Sequence, residues 1–154
     1  MTQTIEKNAL IKELLNGTLA SLEKVISLPY NIVHTEALKQ SIHLHFGVLI
    51  GITGQMKGKL ILAGDKLVFS SIGEAMFQIK VEEEMLHSFS GEFGNIVAGN
   101  LSTDMITKGI KTDITAPTIM EGSTTLTGYR NGLKVTILFS GIGELDVYLL
   151  VDEG

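Results

Sequence analysis

Apolar residues recur every three to four positions from Ile5 to Ile26, which is the spacing of an amphipathic helix. Pro29 predicts the end of this helix, because proline cannot continue it. The same spacing runs from Val81 to Lys108 and predicts a second long helix, which opens with three glutamates where the helix dipole favours negative charge. We therefore expect the two longest elements of the chain to be helices.

Between these helices the pattern changes to the alternation that is typical of strands. Ile42 to Thr53 alternates and predicts a strand, and a glycine-bounded turn from Gly54 to Gly58 leads into a second strand, Lys59 to Ala63. A tight connection then leads to Leu67 to Phe69, which would complete an antiparallel meander. Ser71 to Ile79 predicts a short helix before the second long one.

After Pro117 the chain again predicts strands. They lie around Ile119, around Leu126 and from Lys134 to Val151. Asn131-Gly132 is a strong signal for a hairpin turn. The expected fold is therefore α+β, a single domain over residues 1–154 in which an antiparallel β-sheet is covered by two long helices.

The composition excludes several classes of function. The 154 residues are 44% hydrophobic and carry a net charge of −5, with no runs of lysine or arginine, so we expect no nucleic-acid partner. The absence of cysteine excludes disulfides and thiolate catalysis and fits a reducing interior. Met1 to Leu10 does not have the pattern of a signal peptide, and Phe46 to Ile52 is too short to cross a bilayer. We expect a cytoplasmic protein with no membrane partner.

The second long helix carries two stripes on a 3.6-residue wheel. The apolar stripe predicts the face that packs on the sheet, and its members are Leu86, Phe89, Phe93, Ile96, Val97 and Leu101. The polar stripe is rotated well away from it and consists of Ser88, Glu92, Asn95, Gly99 and Ser102. Glu92 and Asn95 therefore point the same way.

Three glycines interrupt this helix: Gly91, Gly94 and Gly99. Each costs about 1 kcal/mol relative to alanine in a helix interior. Glycines beside an outward Glu92 and Asn95 would let another surface approach the helix closely, which favours a docking site. Tight packing of the helix on another helix or on a sheet also recruits glycine, so the residues alone leave both explanations open.

The segment from Gly91 to Asn100 resembles the Glu-x-x-Asn signature of the CheC/CheX/FliY phosphatase family. Other stretches resemble the CheX branch of that family, and with the motif they cover most of the chain from Asn8 to Val151. These stretches are Ile50 to Gly54 with Gly58, Ala116 to Ile119 with Gly122, and Phe139 with Gly143 to Leu145. The resemblance implies a CheC-like fold.

The resemblance also implies an activity in chemotaxis, the hydrolysis of the aspartyl phosphate on the response regulator CheY or a related receiver. Asn95 would position the attacking water, and Glu92 would contact a lysine of the receiver. Ser88, Gly91, Gly99 and Ser102 would contact the partner. The protein would need no cofactor of its own, because the receiver supplies the Mg²⁺, and it would form a homodimer. The main alternative is a binding module of the same fold that captures a receiver or a flagellar switch component without hydrolysis.

Three other groups in the sequence carry side chains that could bind or catalyse. Glu13 and Asn16 on the first helix repeat Glu-x-x-Asn, but the glycine-rich surroundings of the central motif are missing, so we expect one active motif. His43 and His45 share a strand face, yet a third metal ligand at matching spacing is not visible. His87 lies near the start of the motif helix, and the implied chemistry does not need it as a general base.

Overall fold

The computed structural model describes residues 2–38 and 41–152, with side chains from residue 9 onward. Three α-helices lie among them: α1 (Thr2–Ile26), α2 (Lys66–Phe77) and α3 (Leu86–Thr107). A 3-10 turn, Glu83–Met85, leads into α3. The strands are β1 (Tyr30–Leu38), β2 (Ile42–Gly54), β3 (Gly58–Ala63), β4 (Thr112–Ile114), β5 (Thr118–Leu126), β6 (Asn131–Phe139) and β7 (Gly143–Val151).

All seven strands belong to one sheet, and every pairing within it is antiparallel. The order across the sheet is β1-β6-β7-β3-β2, and the far edge of β2 is shared by β4 and β5. β4 pairs with the end of β2, and β5 pairs with its first eight residues, from Ile42 to Leu49. The predicted α+β fold, an antiparallel sheet covered by two long helices, is confirmed.

The main core lies between one face of the sheet and the helices. It is built from apolar side chains of α1, α2 and α3 and from alternate residues of the strands, among them Phe46, Val48, Leu60, Val147 and Leu149. The intervening residues of β3 and β7 form a second apolar cluster on the opposite face, together with Ile42 and Leu44 at the beginning of β2 and the partly buried Leu126 at the end of β5. Leu44 belongs to this second cluster and Phe46 to the main core, and the β2–β5 register shifts between these two residues, at a β-bulge.

The short predicted elements between β3 and α3 were partly wrong. Leu67 to Phe69 is not a strand but the first part of α2, in which Val68, Phe69 and Ile72 are buried at helical spacing. Three apolar residues are too few to distinguish a helix from a strand by periodicity. The helix therefore begins earlier than the predicted Ser71, and it ends at Phe77, where Gln78 takes a left-handed conformation with φ 59°.

The hairpin prediction at Asn131-Gly132 was also wrong. Both residues begin β6 and pair with β7, and Gly132 is buried between Leu150 of β7 and Leu38 of β1. The turn that divides the predicted Lys134 to Val151 segment lies at Ser140 to Ile142, where Gly141 takes a positive φ, and Gly143, also with a positive φ, begins β7. β1 and β4 were not predicted, because their residues show little alternation and depend on distant partners.

Candidate functional site

Helix α3 is held close to the sheet at Gly94. A Cβ atom on Gly94 would lie 2.7 Å from Ile50 Cδ1 and 2.9 Å from Val48 Cγ1, so only glycine lets the helix approach β2 this closely. The predicted apolar stripe is buried with one exception, Ile96, which is half-buried and belongs to neither core cluster. The Gly94 position thus serves helix–sheet packing, the second of the two explanations that the sequence left open.

Glu92 and Asn95 lie on the outer side of this anchored helix. Both side chains are exposed, and residues three apart on a helix have Cβ atoms about 5–6 Å apart. No ion pair or side-chain hydrogen bond engages Glu92 or Asn95 among the residues that the structure describes. The two groups are therefore adjacent, free to bind and attached to a rigid element.

An open groove of about 520 Å³ runs beside these two residues, between α3 and the chain that enters β5. We call it the polar groove. Its lining residues are His87, Ser88, Gly91, Glu92, Asn95, Ala116, Pro117 and Ile119. A Cβ on Gly91 would lie 3.6 Å from Pro117, within ordinary contact distance, so glycine here keeps the groove wide without being required by packing.

The remaining predicted contact residues differ in their surroundings. Ser88 is exposed in the polar groove, and the space around Gly99 is open, since nothing lies within 4 Å of a Cβ placed there. Ser102 is half-buried, and its hydroxyl donates a hydrogen bond to the Thr112 carbonyl oxygen at 3.1 Å. That bond fastens β4 to α3, so the Ser102 hydroxyl is engaged inside the protein.

One wall of the polar groove carries an ionic cluster that the sequence did not reveal. His87 Nε2 lies 2.6 Å from Glu121 Oε1 of β5, and Lys66 of α2 pairs with the same carboxylate. The hydrogen bond from Lys66 holds the pKa of Glu121 below its ordinary value, and His87 contributes in the same direction. His87 also stacks on Phe46, with ring centroids 6.1 Å apart. The cluster joins the start of α3 to β5 and α2.

His87 is the member of this cluster that the sequence singles out, and its position four residues before Gly91 places it on the same face of the helix. Glu121 and Lys66 had no comparable signal. They lie on other elements, and only the pairing of β5 with β2 brings Glu121 toward α3.

The second Glu-x-x-Asn copy lies elsewhere, on α1. Glu13 Oε1 accepts a hydrogen bond from Lys108 Nζ at 3.1 Å, and Lys108 also pairs with Asp104 at 3.1 Å. These two carboxylates raise the pKa of Lys108, with Asp104 the larger cause. Glu13 is thus tied to the far end of α3, whereas Glu92 is unpaired in the described part of the chain.

His43 contacts Ser41 and Thr125 through its two ring nitrogens, at 3.2 and 3.1 Å. Within residues 9–38 and 41–152, no group of three or more histidine, aspartate or glutamate side chains is arranged to hold a metal ion. No helix in the same ranges is long and apolar enough to span a bilayer.

Comparison with known proteins identifies relatives of the whole fold. A family model described as Chemotaxis phosphatase CheX matches residues 46–140, which is more than half of the chain and includes Glu92 and Asn95. The chain is also 30% identical over 110 residues to the CheY-P phosphatase CheX of Thermotoga maritima. These aligned residues cover 69% of this chain and 71% of the relative.

Solved structures agree with this fold. CheX in the CheX–CheY–BeF3–Mg²⁺ complex from Borrelia burgdorferi superposes with a TM-score of 0.72 at 21% identity, over 93% of this chain and 97% of that one. The chemotaxis protein CheX from Vibrio vulnificus gives a TM-score of 0.74 at 21% identity, over 91% and 99%. The family match, the curated relative and the shared fold together establish that this chain belongs to the CheX family of chemotaxis phosphatases.

Proposed function

We propose that this protein hydrolyses the aspartyl phosphate of a phosphorylated CheY-type receiver. The observation that carries the proposal is the arrangement of Glu92 and Asn95, two exposed side chains on one face of a helix that is anchored through Gly94. Neither side chain lies in an enclosed pocket, since the polar groove is open to solvent. Such a pair is suited to completing a site on another protein.

Asn95 would act on the attacking water. Its carboxamide has both a hydrogen-bond acceptor and a donor, so it can hold a water molecule in line with the phosphorus atom. The water oxygen forms a bond to phosphorus, the bond from phosphorus to the aspartyl oxygen breaks, and the products are inorganic phosphate and a free carboxylate. An acyl phosphate is already activated, so positioning and charge stabilisation suffice without a nucleophile from this chain.

Glu92 would fix the position in which the receiver docks on α3. Its unpaired carboxylate can accept a charge-assisted hydrogen bond from a lysine of the receiver, and this bond fixes where Asn95 enters the receiver's site. The Mg²⁺ that neutralises the phosphoryl oxygens would be supplied by the receiver, so the phosphatase would contribute two side chains and a rigid helix. The curated Thermotoga maritima relative is named a CheY-P phosphatase, which supports this assignment.

The experiment compares dephosphorylation of a receiver charged with acetyl phosphate. We expect Asn95→Ala to lower the rate by about 10²-fold while keeping most of the binding, because the amide acts in the transition state. Glu92→Ala should lose activity partly through weaker docking. Asn100→Ala is the matched control, since it removes an amide from the same helix but lines a different groove, beside α1.

Two results would redirect the proposal. Full activity of Asn95→Ala would refute the assigned mechanism. Wild-type protein that binds the charged receiver but leaves its phosphate lifetime unchanged would favour the binding module. A Glu13→Ala, Asn16→Ala double variant is expected to retain activity, because Glu13 is paired with Lys108.

We also propose that the protein forms a homodimer through the free edge of β1. In the described part of the sheet, β1 pairs with β6 on one side only, and Ile32 and Val33 are about half exposed. An unpaired edge strand is a ready template for strand addition. Sedimentation of the wild type and of an Ile32→Lys, Val33→Lys variant tests this: a wild-type monomer contradicts it.

A further inference from the structure

A second groove adjoins Glu92 on the opposite flank of α3, and it is apolar. It encloses about 310 Å³ between α3 and the connection from α2. Its apolar lining consists of Phe77, Ile79, Val81, Met85 and Phe89. We call it the apolar groove. Phe77, Ile79 and Met85 are 52%, 67% and 52% exposed, so three large hydrophobic side chains meet water at one place.

The apolar groove is held in shape by packing beneath it. Gly73 of α2 receives Val81 so closely that any side chain at Gly73 would collide with it. Phe77 contacts Phe89 edge to face, with ring centroids 6.0 Å apart. Val81 therefore fastens the connection to α2, and Phe77 fastens the end of α2 to α3, so the exposed groups do not need a collapse of the loop to be brought together.

The apolar groove and the polar groove share an edge. Ser88 and Glu92 line both of them, so Glu92 stands on a ridge with one groove on each side. Any protein whose surface contacts Glu92 and Asn95 must also come to lie over part of the apolar groove. This continuity identifies the occupant as the same protein that docks on Glu92.

The charges around the apolar groove indicate what that protein presents. Glu82, Glu83 and Glu84 are exposed in the segment between Val81 and Leu86, and Glu92 adds a fourth carboxylate at the edge. Glu83 also pairs with Lys66 of α2 at 3.5 Å. Lys80 is the basic residue in the lining. A complementary surface would offer an apolar side chain flanked by lysine or arginine.

We propose that the apolar groove receives an apolar side chain of the phosphorylated receiver, beside the basic residue that pairs with Glu92, and that this contact determines which receiver the phosphatase selects. The inference rests on the proposed function, because it takes the docking partner from it. The contact is made equally in the bound substrate and in the transition state, so it governs affinity and not the chemical step.

The test uses an Ile79→Ser, Met85→Ser double variant, which removes two exposed apolar side chains and leaves Glu92 and Asn95 in place. An Ile106→Ser, Leu138→Ser double variant is the matched control, because those side chains are 50% and 40% exposed but lie outside the groove. Phosphate release from a purified CheY receiver charged with acetyl phosphate is measured at rising receiver concentration, to separate KM from kcat. Direct binding is measured with the same receiver charged with beryllium fluoride.

We expect the groove variant to raise KM and the Kd of the charged receiver about tenfold, which corresponds to about 1.4 kcal/mol, with kcat unchanged. The control variant should leave both constants at the wild-type value. Unchanged KM and Kd in the groove variant would overturn the inference while the hydrolysis proposal stands. If the wild type releases no phosphate, only the hydrolysis proposal is overturned. The Kd of the beryllium fluoride-charged receiver still tests whether the apolar groove contributes to binding. Loss of a wild-type dimer in the groove variant would assign the groove to a second copy and overturn the inference.

Discussion

The close approach of α3 to β2 at Gly94 leads to a prediction about stability that can be worked from the structure. In Gly94→Ala the new methyl group would lie under 3.0 Å from atoms of both Ile50 and Val48. Val48 is fully buried and β-branched, so its side chain has little freedom to move aside. Overpacking of this kind typically costs about 1–3 kcal/mol.

Helix propensity opposes this cost, because alanine is better than glycine in a helix interior by about 1 kcal/mol. Gly99→Ala separates the two effects. It lies in the same helix and gains the same propensity, but a Cβ there meets nothing within 4 Å. We therefore expect Gly99→Ala to stabilise the protein by about 1 kcal/mol and Gly94→Ala to range from neutral to about 2 kcal/mol destabilising.

Urea denaturation measures the difference between the variants, in which propensity cancels and the packing term remains. With a slope of about 2 kcal/mol per molar urea, the Gly94→Ala midpoint should lie about 0.5–1.5 M below that of Gly99→Ala. Equal midpoints would refute the argument that Gly94 is required by the helix–sheet contact. Gly94 would then serve the other explanation that the sequence allows, the close approach of another surface to α3.

Two further predictions concern single polar groups. The Ser90 hydroxyl is fully buried and has no hydrogen-bond partner in the described part of the structure. We therefore expect Ser90→Ala to stabilise the protein by about 1 kcal/mol in the same urea assay. A loss of stability would show that the hydroxyl has a partner. The Glu121 carboxyl should titrate below its ordinary value of 4.5 in an NMR titration, and Lys66→Met should raise its pKa more than His87→Gln does, because Lys66 is the larger cause. Since folding lowers this pKa, the stabilisation is present above pH 4.5 and is lost as the pH falls through the folded value, so the midpoint difference between wild type and Lys66→Met should disappear in acid.

The parts of the site that the sequence predicted lie within one element. Helical periodicity alone gave α3 its buried and exposed faces, and it placed Glu92 and Asn95 together, because residues three and four apart on a helix share a face whatever the rest of the fold does. Long runs such as Ile42 to Thr53 were predicted as strands for the same reason, since alternation is also a local property. Short runs failed, as Leu67 to Phe69 did, because three residues do not define a period.

Only the tertiary structure decided which partner each of these faces has. Gly94 and Gly91 are chemically identical and three residues apart, yet one is pressed against β2 and the other faces the polar groove. The ion pair between Lys66 and Glu121 joins α2 to β5. Glu13, in the second copy of Glu-x-x-Asn, accepts a hydrogen bond from Lys108, a lysine 95 residues away in the sequence. These contacts depend on how the helices and strands pack on one another, which brings distant segments together and leaves no local pattern in the sequence.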